Sequence, residues 1–173
     1  MARSGNRFVI SDTHFGHAGV CKFLREDGVT KLRPWDSPEE MDAALIQNWN
    51  DVVRPTDTVY HLGDVAINRR AIPTLKQLNG RKILIKGNHD IFKLKDYVEY
   101  FEDIRGYSVT SNRVILSHIP IHERSKSRFI GNIHGHLHAN CLDDPWYQNV
   151  SVEQIDYRPV PLEDIVARFS ANQ

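Results

Sequence analysis

Short, mostly apolar runs recur along the first half of the chain, and each of them ends at a glycine or at a polar residue. Such runs are typical of buried strands. The three strands predicted here are Phe8–Ile10, Thr58–Leu62 and Lys82–Lys86. Between them lie two segments with apolar residues at helical spacing, one after Ser37 and a shorter one that ends at Asn79 and Gly80. The alternation of strand and helix favours a layered α/β fold with parallel strand pairing.

The longer helical segment carries a clear start signal. Ser37 is suited to cap the helix, Pro38 to take its first position, and Glu40 to close a capping box. Apolar residues then recur at helical spacing at Met41, Leu45, Trp49 and Val52. The shorter helix is predicted from Ile72, Leu75 and Leu78.

The second half of the chain has a different pattern. Tyr107–Val109 and Val114–Leu116 flank a predicted hairpin turn at Thr110–Arg113, and further strands are predicted at Phe129–His134 and Tyr147–Val152. An apolar stripe formed by Leu162, Ile165, Val166 and Phe169 predicts a closing helix. These strands are expected to form a second sheet that is antiparallel or mixed.

Composition excludes several classes of protein. A chain of 173 residues suits one domain over residues 1–173, and a formal net charge of +0 argues against tight duplex nucleic-acid binding. No apolar run reaches the roughly 18 residues of a membrane helix, so we expect no membrane partner. The two cysteines, Cys21 and Cys141, cannot build a disulfide framework or a thiolate metal cage. We therefore expect a cytoplasmic protein; the sequence does not indicate its oligomeric state.

Histidine and carboxylate chemistry is concentrated where the predicted strands end. The chain holds nine histidines, five of them within residues 118–138. The strand-end segments are Asp12–His14, Gly63–Asp64, Gly87–Asp90, Ser117–His118 and Gly135–His138. In layered α/β folds, ligands collect beyond the carboxyl ends of the strands. The five segments are therefore expected to meet at one site.

This set of side chains suits a pair of divalent cations. A dinuclear site needs a carboxylate that bridges both ions, for which Asp64 is the natural candidate, and terminal ligands on either side. The pairs Asp12/His14 and His136/His138 can each direct two side chains from one short segment. Imidazole, carboxylate and amide ligands without thiolate favour Mn²⁺, Fe, Zn²⁺ or Ni²⁺ over Ca²⁺ and Mg²⁺, and we expect Mn²⁺.

The five strand-end segments, taken in order, resemble the motifs of the calcineurin-like metallophosphoesterase superfamily. They read Asp-x-His, Gly-Asp, Gly-Asn-His-Asp, a strand-end His and Gly-His-x-His. The opening Ser-Asp-Thr-His-Phe-Gly-His and the tail Asn-Val-Ser-Val-Glu with Asp-Tyr-Arg-Pro-Val are similar to those of its short, stand-alone members. The resemblance implies a four-layer α/β/β/α sandwich with two facing mixed β-sheets.

The resemblance also implies a role for each motif residue. The first ion would be held by Asp12, His14, Asp64 and His138, and the second by Asp64, Asn88, His118 and His136. His89 would face the phosphate without binding a metal, and Asp90 would orient a neighbouring imidazole. The two ions would lower the pKa of a bridging water and so create a hydroxide that attacks phosphorus. His89, as an imidazolium, would stabilise charge or protonate the leaving group.

The substrate class is inferred from chain length. Little sequence remains for a domain that closes over the site, so an open site and small phosphodiesters, including nucleotide-like ones, are favoured. The alternatives are a phosphomonoesterase or nucleotide phosphatase on the same site, a nuclease acting on short single strands, and a non-catalytic protein-binding module. The last of these would be expected to lack ligands, and here none is missing.

The sequence leaves the roles of several residues open. His118 competes with His122 for one ligand position and is favoured because it directly follows a strand. His17 either reaches the substrate or begins a helix and faces solvent. His61 and His134 lie within predicted strands and are expected to be packed. Two loops contain basic residues, namely Lys22, Arg25, Lys31 and Arg33 in one, and Arg124, Lys126 and Arg128 in the other. They are expected to form a mobile cationic rim, with Arg124 as a candidate substrate contact.

Overall fold

Nine strands and two α-helices occur in the part of the chain that the structure, a computed structural model, describes, which is residues 5–170. The strands are β1 (Arg7–Ile10), β2 (Thr58–His61), β3 (Arg81–Ile85), β4 (Asp103–Arg105), β5 (Ser108–Val109), β6 (Val114–Leu116), β7 (Gly131–His134), β8 (Tyr147–Asn149) and β9 (Val160–Pro161). The helices are α1 (Pro38–Val52) and α2 (Leu162–Ser170). Short 3₁₀ helices lie at Val20–Lys22, Arg69–Gln77, Leu94–Asp96, Glu123–Arg128 and Val152–Gln154.

The strands form two mixed sheets. The five-stranded sheet has the order β4-β3-β2-β1-β9, in which β1 to β4 are parallel neighbours and β9 is antiparallel to β1. The four-stranded sheet has the order β5-β6-β7-β8, with β5 antiparallel to β6 and the other pairs parallel. Ile10 pairs with His61, which pairs with Leu84. The first three strands therefore end at the same level, which brings their following loops together.

Two apolar clusters hold the layers in place. One cluster lies between the five-stranded sheet and α1, and it includes Phe8, Ile10 and Val59 of the sheet with Met41, Leu45 and Trp49 of the helix. The other joins the two sheets, and it includes Val9, Leu62 and Ile85 with Val114, Leu116 and Ile133. Leu162, Ile165 and Phe169 of α2 pack into this second cluster. Because alternate residues of a strand point to opposite faces, β1 contributes to both. The predicted α/β sandwich with facing mixed sheets is confirmed.

Local details depart from the prediction for identifiable reasons. Ser37 Oγ accepts from the Glu40 amide at 3.2 Å as expected, but the Glu40 carboxylate accepts from the Asp36 amide rather than from Ser37. The second predicted helix is the 3₁₀ helix Arg69–Gln77, which contains Pro73. Proline has no N–H to donate, so it opposes an α-helical interior. No helix within residues 5–170 is long and apolar enough to span a bilayer.

The two sheets are also joined through Ser11, directly after β1. The Ser11 amide donates to Val150 O at 2.9 Å, and the Val152 amide donates to Ser11 O at 3.1 Å. β8 ends at Asn149, three residues short of the predicted strand end, and the chain beyond it pairs with Ser11 instead. This connection also brings the segment after β8 next to the segment after β1, where candidate ligands begin.

Candidate metal centre

The candidate ligands predicted from the motifs come together at the ends of β1, β2, β3, β6 and β7. Two groups of three side chains have donor atoms that all lie within 4.8 Å of one another. The first cluster is Asp12, His14 and His138, and the second cluster is Asp64, His118 and His136. Each cluster combines imidazole with carboxylate, a donor set that suits a divalent transition-metal ion.

Asp64 lies between the two clusters. Its Oδ2 is 3.4 Å from His118 Nε2 in the second cluster and 3.6 Å from His14 Nε2 in the first. Burial raises the pKa of Asp64, but hydrogen bonding and charge from His118 and the His89 amide outweigh burial and bring the pKa to about 2. The carboxylate is therefore ionised, and it is the only candidate ligand within residues 5–170 with a carboxylate oxygen within 3.6 Å of histidine nitrogens from both clusters.

The backbone is left-handed at most of the candidate ligands. Five of the eight non-glycine residues with positive φ within residues 5–170 are Asp12, His14, Asp64, His136 and His138. Asp and His tolerate this region better than bulky residues, but it still costs about 1–2 kcal/mol per residue. The surrounding structure therefore holds the chain in an unfavourable conformation at the positions where side chains converge, as is common at functional sites.

Glycines before the candidate ligands allow close approach of neighbouring segments. A Cβ on Gly87 would lie 2.3 Å from Asp64 Oδ1, and a Cβ on Gly135 would lie 2.3 Å from Asp12 Oδ2. Both distances are far shorter than van der Waals contact. These two glycines thus let the segment after β3 pack against Asp64 and the segment after β7 pack against Asp12.

The first cluster has unpaired buried donor atoms that fit a cation. His14 is 3% exposed, and within residues 5–170 neither of its ring nitrogens has a hydrogen-bond partner; the same is true of Asp12 Oδ1. An unpaired buried polar group costs about 1–3 kcal/mol, which a bound cation would offset. Burial, followed by the charge of Arg33, lowers the pKa of His14 well below its usual value. The ring is therefore the neutral imidazole that metal binding requires.

The second cluster has converging acceptors. His118 Nδ1 donates to Leu62 O at 2.8 Å, so when the ring is neutral its lone pair is at Nε2. That Nε2 lies 2.7 Å from Asn88 Oδ1, and His136 Nδ1 lies 2.9 Å from the same oxygen. Several acceptors this close together need a cation or a proton among them. Asn88 is thus placed with the second cluster, and both clusters fit a divalent ion.

His89 and Asp90 lie in the same loop but have different surroundings. His89 is exposed, its ring centroid is 5.5 Å from that of His14, and its amide donates to Asp64 Oδ1 at 2.8 Å. Asp90 is buried and accepts from the backbone amides of Gly87, Asp64 and Val65 at 2.8–3.0 Å. The expectation that Asp90 orients an imidazole is therefore wrong, because its carboxylate oxygens hold the backbone on either side of the candidate ligands instead.

The structure shows the surroundings of the histidines whose roles the sequence left open. His118 belongs to the second cluster, whereas His122 is exposed and its Nδ1 accepts from the Arg124 amide. His17 both precedes a 3₁₀ helix and lies near the site, since its Nδ1 accepts from the Val20 amide and its ring centroid is 5.6 Å from that of His14. His61 and His134 are buried, which confirms the prediction that they are packed.

The predicted cationic rim is only partly present. Arg33 has no exposed surface, so its assignment as a mobile surface cation is wrong. Lys31 forms an ion pair with Asp36, and Lys126 forms one with Asp144. Arg124 is exposed on the 3₁₀ helix Glu123–Arg128, and within residues 5–170 no hydrogen bond or ion pair joins it to a candidate ligand.

Of three further residues near the first cluster, Ser151 and Glu153 were given no role from sequence, and Arg33 was expected in the surface rim. Arg33 donates to Asp12 O at 2.5 Å and to Thr13 O at 2.7 Å, and it forms a fully buried ion pair with Glu153. Ser151 Oγ donates to Asp12 Oδ2 at 2.9 Å. Ser151 and Glu153 lie in the Asn-Val-Ser-Val-Glu tail that carried part of the resemblance, so a signal for two of them was present.

Sequence comparison finds known proteins that are similar to this chain. The chain is 40% identical over 171 residues to an uncharacterised protein of Methanocaldococcus jannaschii, covering 92% of this chain and 88% of that protein. It is also similar to the Gene 66 protein of Mycobacterium phage L5, with 39% identity over 90 residues that cover 49% of this chain and 40% of the phage protein.

A solved structure extends the comparison to the fold. The crystal structure of a protein of unknown function from Aquifex aeolicus matches with a TM-score of 0.70 and 29% identity, covering 93% of this chain and 97% of that one. The sequence model of the calcineurin-like phosphoesterases matches residues 7–169. The resemblance seen in the motifs is therefore confirmed, and the chain belongs to the calcineurin-like phosphoesterase family.

Proposed function

We propose that this protein is a dinuclear metal-dependent phosphodiesterase that hydrolyses small or nucleotide-like diesters. The observation that carries the proposal is the place of Asp64, whose Oδ2 lies within 3.6 Å of a histidine nitrogen from each cluster. A single carboxylate shared by two clusters of imidazole and carboxylate donors is the arrangement that a pair of cations about 3.5–4 Å apart requires.

The proposed ligands divide between two sites. The first ion would be held by Asp12, His14, Asp64 and His138, and the second by Asp64, Asn88, His118 and His136. When bound, two divalent ions, with Mn²⁺ as the favoured metal, supply positive charge to phosphate oxygens and lower the pKa of water so that it can attack phosphorus.

Other residues of this chain would act on the substrate directly. His89 is exposed and its ring lies next to that of His14, which supports a role in donating a proton to the departing ester oxygen or in stabilising negative charge. Asp90 fixes the backbone of Asp64 and Gly87, and the His89 amide bonds to the Asp64 carboxylate. These contacts keep the proposed proton donor and the proposed bridging ligand at a constant separation.

The openness of the site favours diesters. Asn88, His89 and His136 are exposed even though all three belong to the proposed centre. A diester has an organic group on each side of the phosphate, and an open site accepts both of them. A monoester has an organic group on one side of the phosphate only, so its hydrolysis does not require an open site. Phosphomonoesterase activity is the alternative that the same candidate ligands allow.

Substrate class is tested with matched aryl esters. Protein reconstituted with Mn²⁺ is assayed with bis(4-nitrophenyl) phosphate and with 4-nitrophenyl phosphate, and we expect the larger kcat/KM for the diester. Asp64→Asn is the control that separates this activity from a contaminating phosphatase. A preference for the monoester that persists with Zn²⁺ and Ni²⁺ would show that the diester assignment is wrong while leaving a metal-dependent phosphatase in place.

A further inference from the structure

A groove of about 590 Å³ begins at the second cluster and runs along the junction of the two sheets. Asn88 and His118 line the end of the groove that touches the candidate metal centre. The rest of the wall comes from the β4–β5 connection and from the chain around β6 and β7. The volume lies within the usual range for sites that bind small organic molecules, about 300–1,000 Å³.

The groove wall away from the metal centre is mostly apolar. It is formed by Tyr107, Ile115, Ile119, Ile121 and Phe129, with Lys86 at one side. Tyr107 is 62% exposed and Ile119 is 54% exposed, so both present apolar surface to solvent. Contiguous exposed apolar surface with a polar rim marks a place where another molecule binds.

The charge of the groove agrees with a phosphoester. No aspartate or glutamate is among the lining residues, which all lie in the described part of the chain, and Lys86 contributes a positive charge. A phosphate group at the metal centre would therefore meet no repulsion from the groove. By contrast, the proposed proton donor His89 and its neighbour His17 lie on the side of the first cluster, close to His14.

The two sides of the centre thus offer different surroundings to the two organic groups of a diester. The imidazole side holds the proposed proton donor for a departing oxygen, whereas the groove side offers mostly apolar contacts. We propose that the groove binds a flat aromatic or apolar group, such as an aryl ring or a nucleobase, on the ester oxygen that stays attached to phosphorus. This inference rests on the proposed phosphodiesterase function and assigns Tyr107 and Ile119 as specificity-determining residues.

The activity test keeps the leaving group constant and changes the retained group. Phenyl 4-nitrophenyl phosphate and methyl 4-nitrophenyl phosphate both release 4-nitrophenolate, and the Mn²⁺-loaded protein is assayed with each. We expect the phenyl-to-methyl ratio of kcat/KM to fall by about tenfold in the double variant Tyr107→Ser, Ile119→Ser, since the retained ring loses its apolar contacts. Both residues are exposed, so the fold is expected to tolerate the changes.

A matched control removes exposed apolar side chains elsewhere. Leu94 and Val98 are 56% and 61% exposed and do not line the groove, so Leu94→Ser, Val98→Ser is expected to keep the wild-type ratio. If the groove variant lowers kcat/KM equally for both diesters, the groove assignment is wrong and the phosphodiesterase stands. If the wild-type protein hydrolyses neither diester, the proposed function is wrong.

A binding measurement tests the groove without catalysis. Phenylphosphonate and methylphosphonate carry the same acidic group and cannot be hydrolysed at the P–C bond by this chemistry. We expect calorimetry on the Mn²⁺-loaded protein to give at least about tenfold tighter binding of phenylphosphonate, and the groove variant to abolish the difference. Equal affinities in the wild-type protein would show that the groove does not bind the retained group.

Discussion

His138 Nδ1 donates a hydrogen bond to Glu153 Oε1 at 3.1 Å, and Arg33 Nε donates to the same oxygen at 2.8 Å. Burial raises the pKa of Glu153, but His138 and Arg33 outweigh burial and lower it, so the group is an ionised acceptor. His138 must then carry its hydrogen on Nδ1, which leaves Nε2 as the ligand atom. Because Arg33 also bonds to the carbonyl groups of Asp12 and Thr13, one buried ion pair connects both segments that form the first cluster.

This contact predicts that Glu153→Gln weakens metal binding at the first site. Loss of the hydrogen-bond partner that orients a metal-binding histidine typically lowers metal affinity about 10–100-fold. Calorimetric titration with Mn²⁺ should show one weakened site and one near wild type. Glu163→Gln is the matched control, because Glu163 pairs with Arg7 at the exposed surface, where such pairs contribute little.

Stability has to be measured in the same variant. Breaking a buried ion pair costs about 3–5 kcal/mol, so a thermal melt is needed to show that Glu153→Gln is folded before titration. A folded Glu153→Gln protein that binds both ions as tightly as the wild type would show that Glu153 does not orient His138 for metal binding.

Asp64→Ala is expected to lower the occupancy of both metal sites. The reason is that one carboxylate is within 3.6 Å of histidine nitrogens in both clusters. Asp12→Ala is the control, since it removes a carboxylate from the first cluster alone. Elemental analysis after reconstitution with Mn²⁺ should give close to two ions per chain for the wild type, as the proposal requires. Loss of one ion with the other retained in Asp64→Ala would exclude a bridging role.

His89→Ala is expected to separate catalysis from metal binding. The His89 ring is exposed beside the first cluster and belongs to neither group of candidate ligands, so both ions should remain. We expect kcat to fall by roughly 10²–10⁴-fold, the usual contribution of a proton donor. His118→Ala, in contrast, should lose metal. An inactive His89→Ala protein without metal would make His89 a ligand instead.

His61 is expected to make the protein sensitive to acid. It is fully buried, and burial lowers its pKa to about 3, against an ordinary value of 6.5. The unfolded chain therefore binds a proton below pH 6.5 that the folded chain does not bind until about pH 3, so stability falls as pH drops through this window. Between pH 7 and pH 5 this single group should remove about 2 kcal/mol.

The pH effect is measured as a difference between variants in metal-free protein. Denaturant unfolding of wild type and His61→Gln at pH 7 and pH 5 should show a smaller loss of stability in the variant. His122→Gln serves as the exposed control and should behave as wild type. Identical pH dependence of wild type and His61→Gln would mean that the folded protein accommodates the charged ring.

The exposed cations of the Glu123–Arg128 helix are expected to act on substrate encounter. Arg124→Ser with Arg128→Ser should raise KM more than it lowers kcat, and kcat/KM of the wild type should fall as salt rises. Lys126 is left unchanged because it pairs with Asp144. The control at the opposite end of the sheet is Arg54→Ser with Arg81→Ser, because Arg54 precedes β2 and Arg81 is the first residue of β3. An equal effect of both double variants would exclude local steering.

The order of elements and the meeting of the candidate ligands could be predicted from sequence. Apolar runs such as Phe8–Ile10 identify strands because burial on both faces requires continuous apolar residues. Once β1, β2 and β3 are parallel neighbours, their polar ends must lie at one edge of the sheet. The motif pattern then indicated the family, and the match over residues 7–169 confirmed it.

What tertiary structure alone decided is how particular polar groups are paired. Arg33 looked like a surface cation in a basic loop, but it is buried because two backbone carbonyls and Glu153, 120 positions away, satisfy its guanidinium. Asp90 looked like a partner for a histidine, but three nearby amides occupy its carboxylate. Local sequence determines which residues can be buried. The partners that offset the free-energy cost of burying a charge come close only when distant segments fold together.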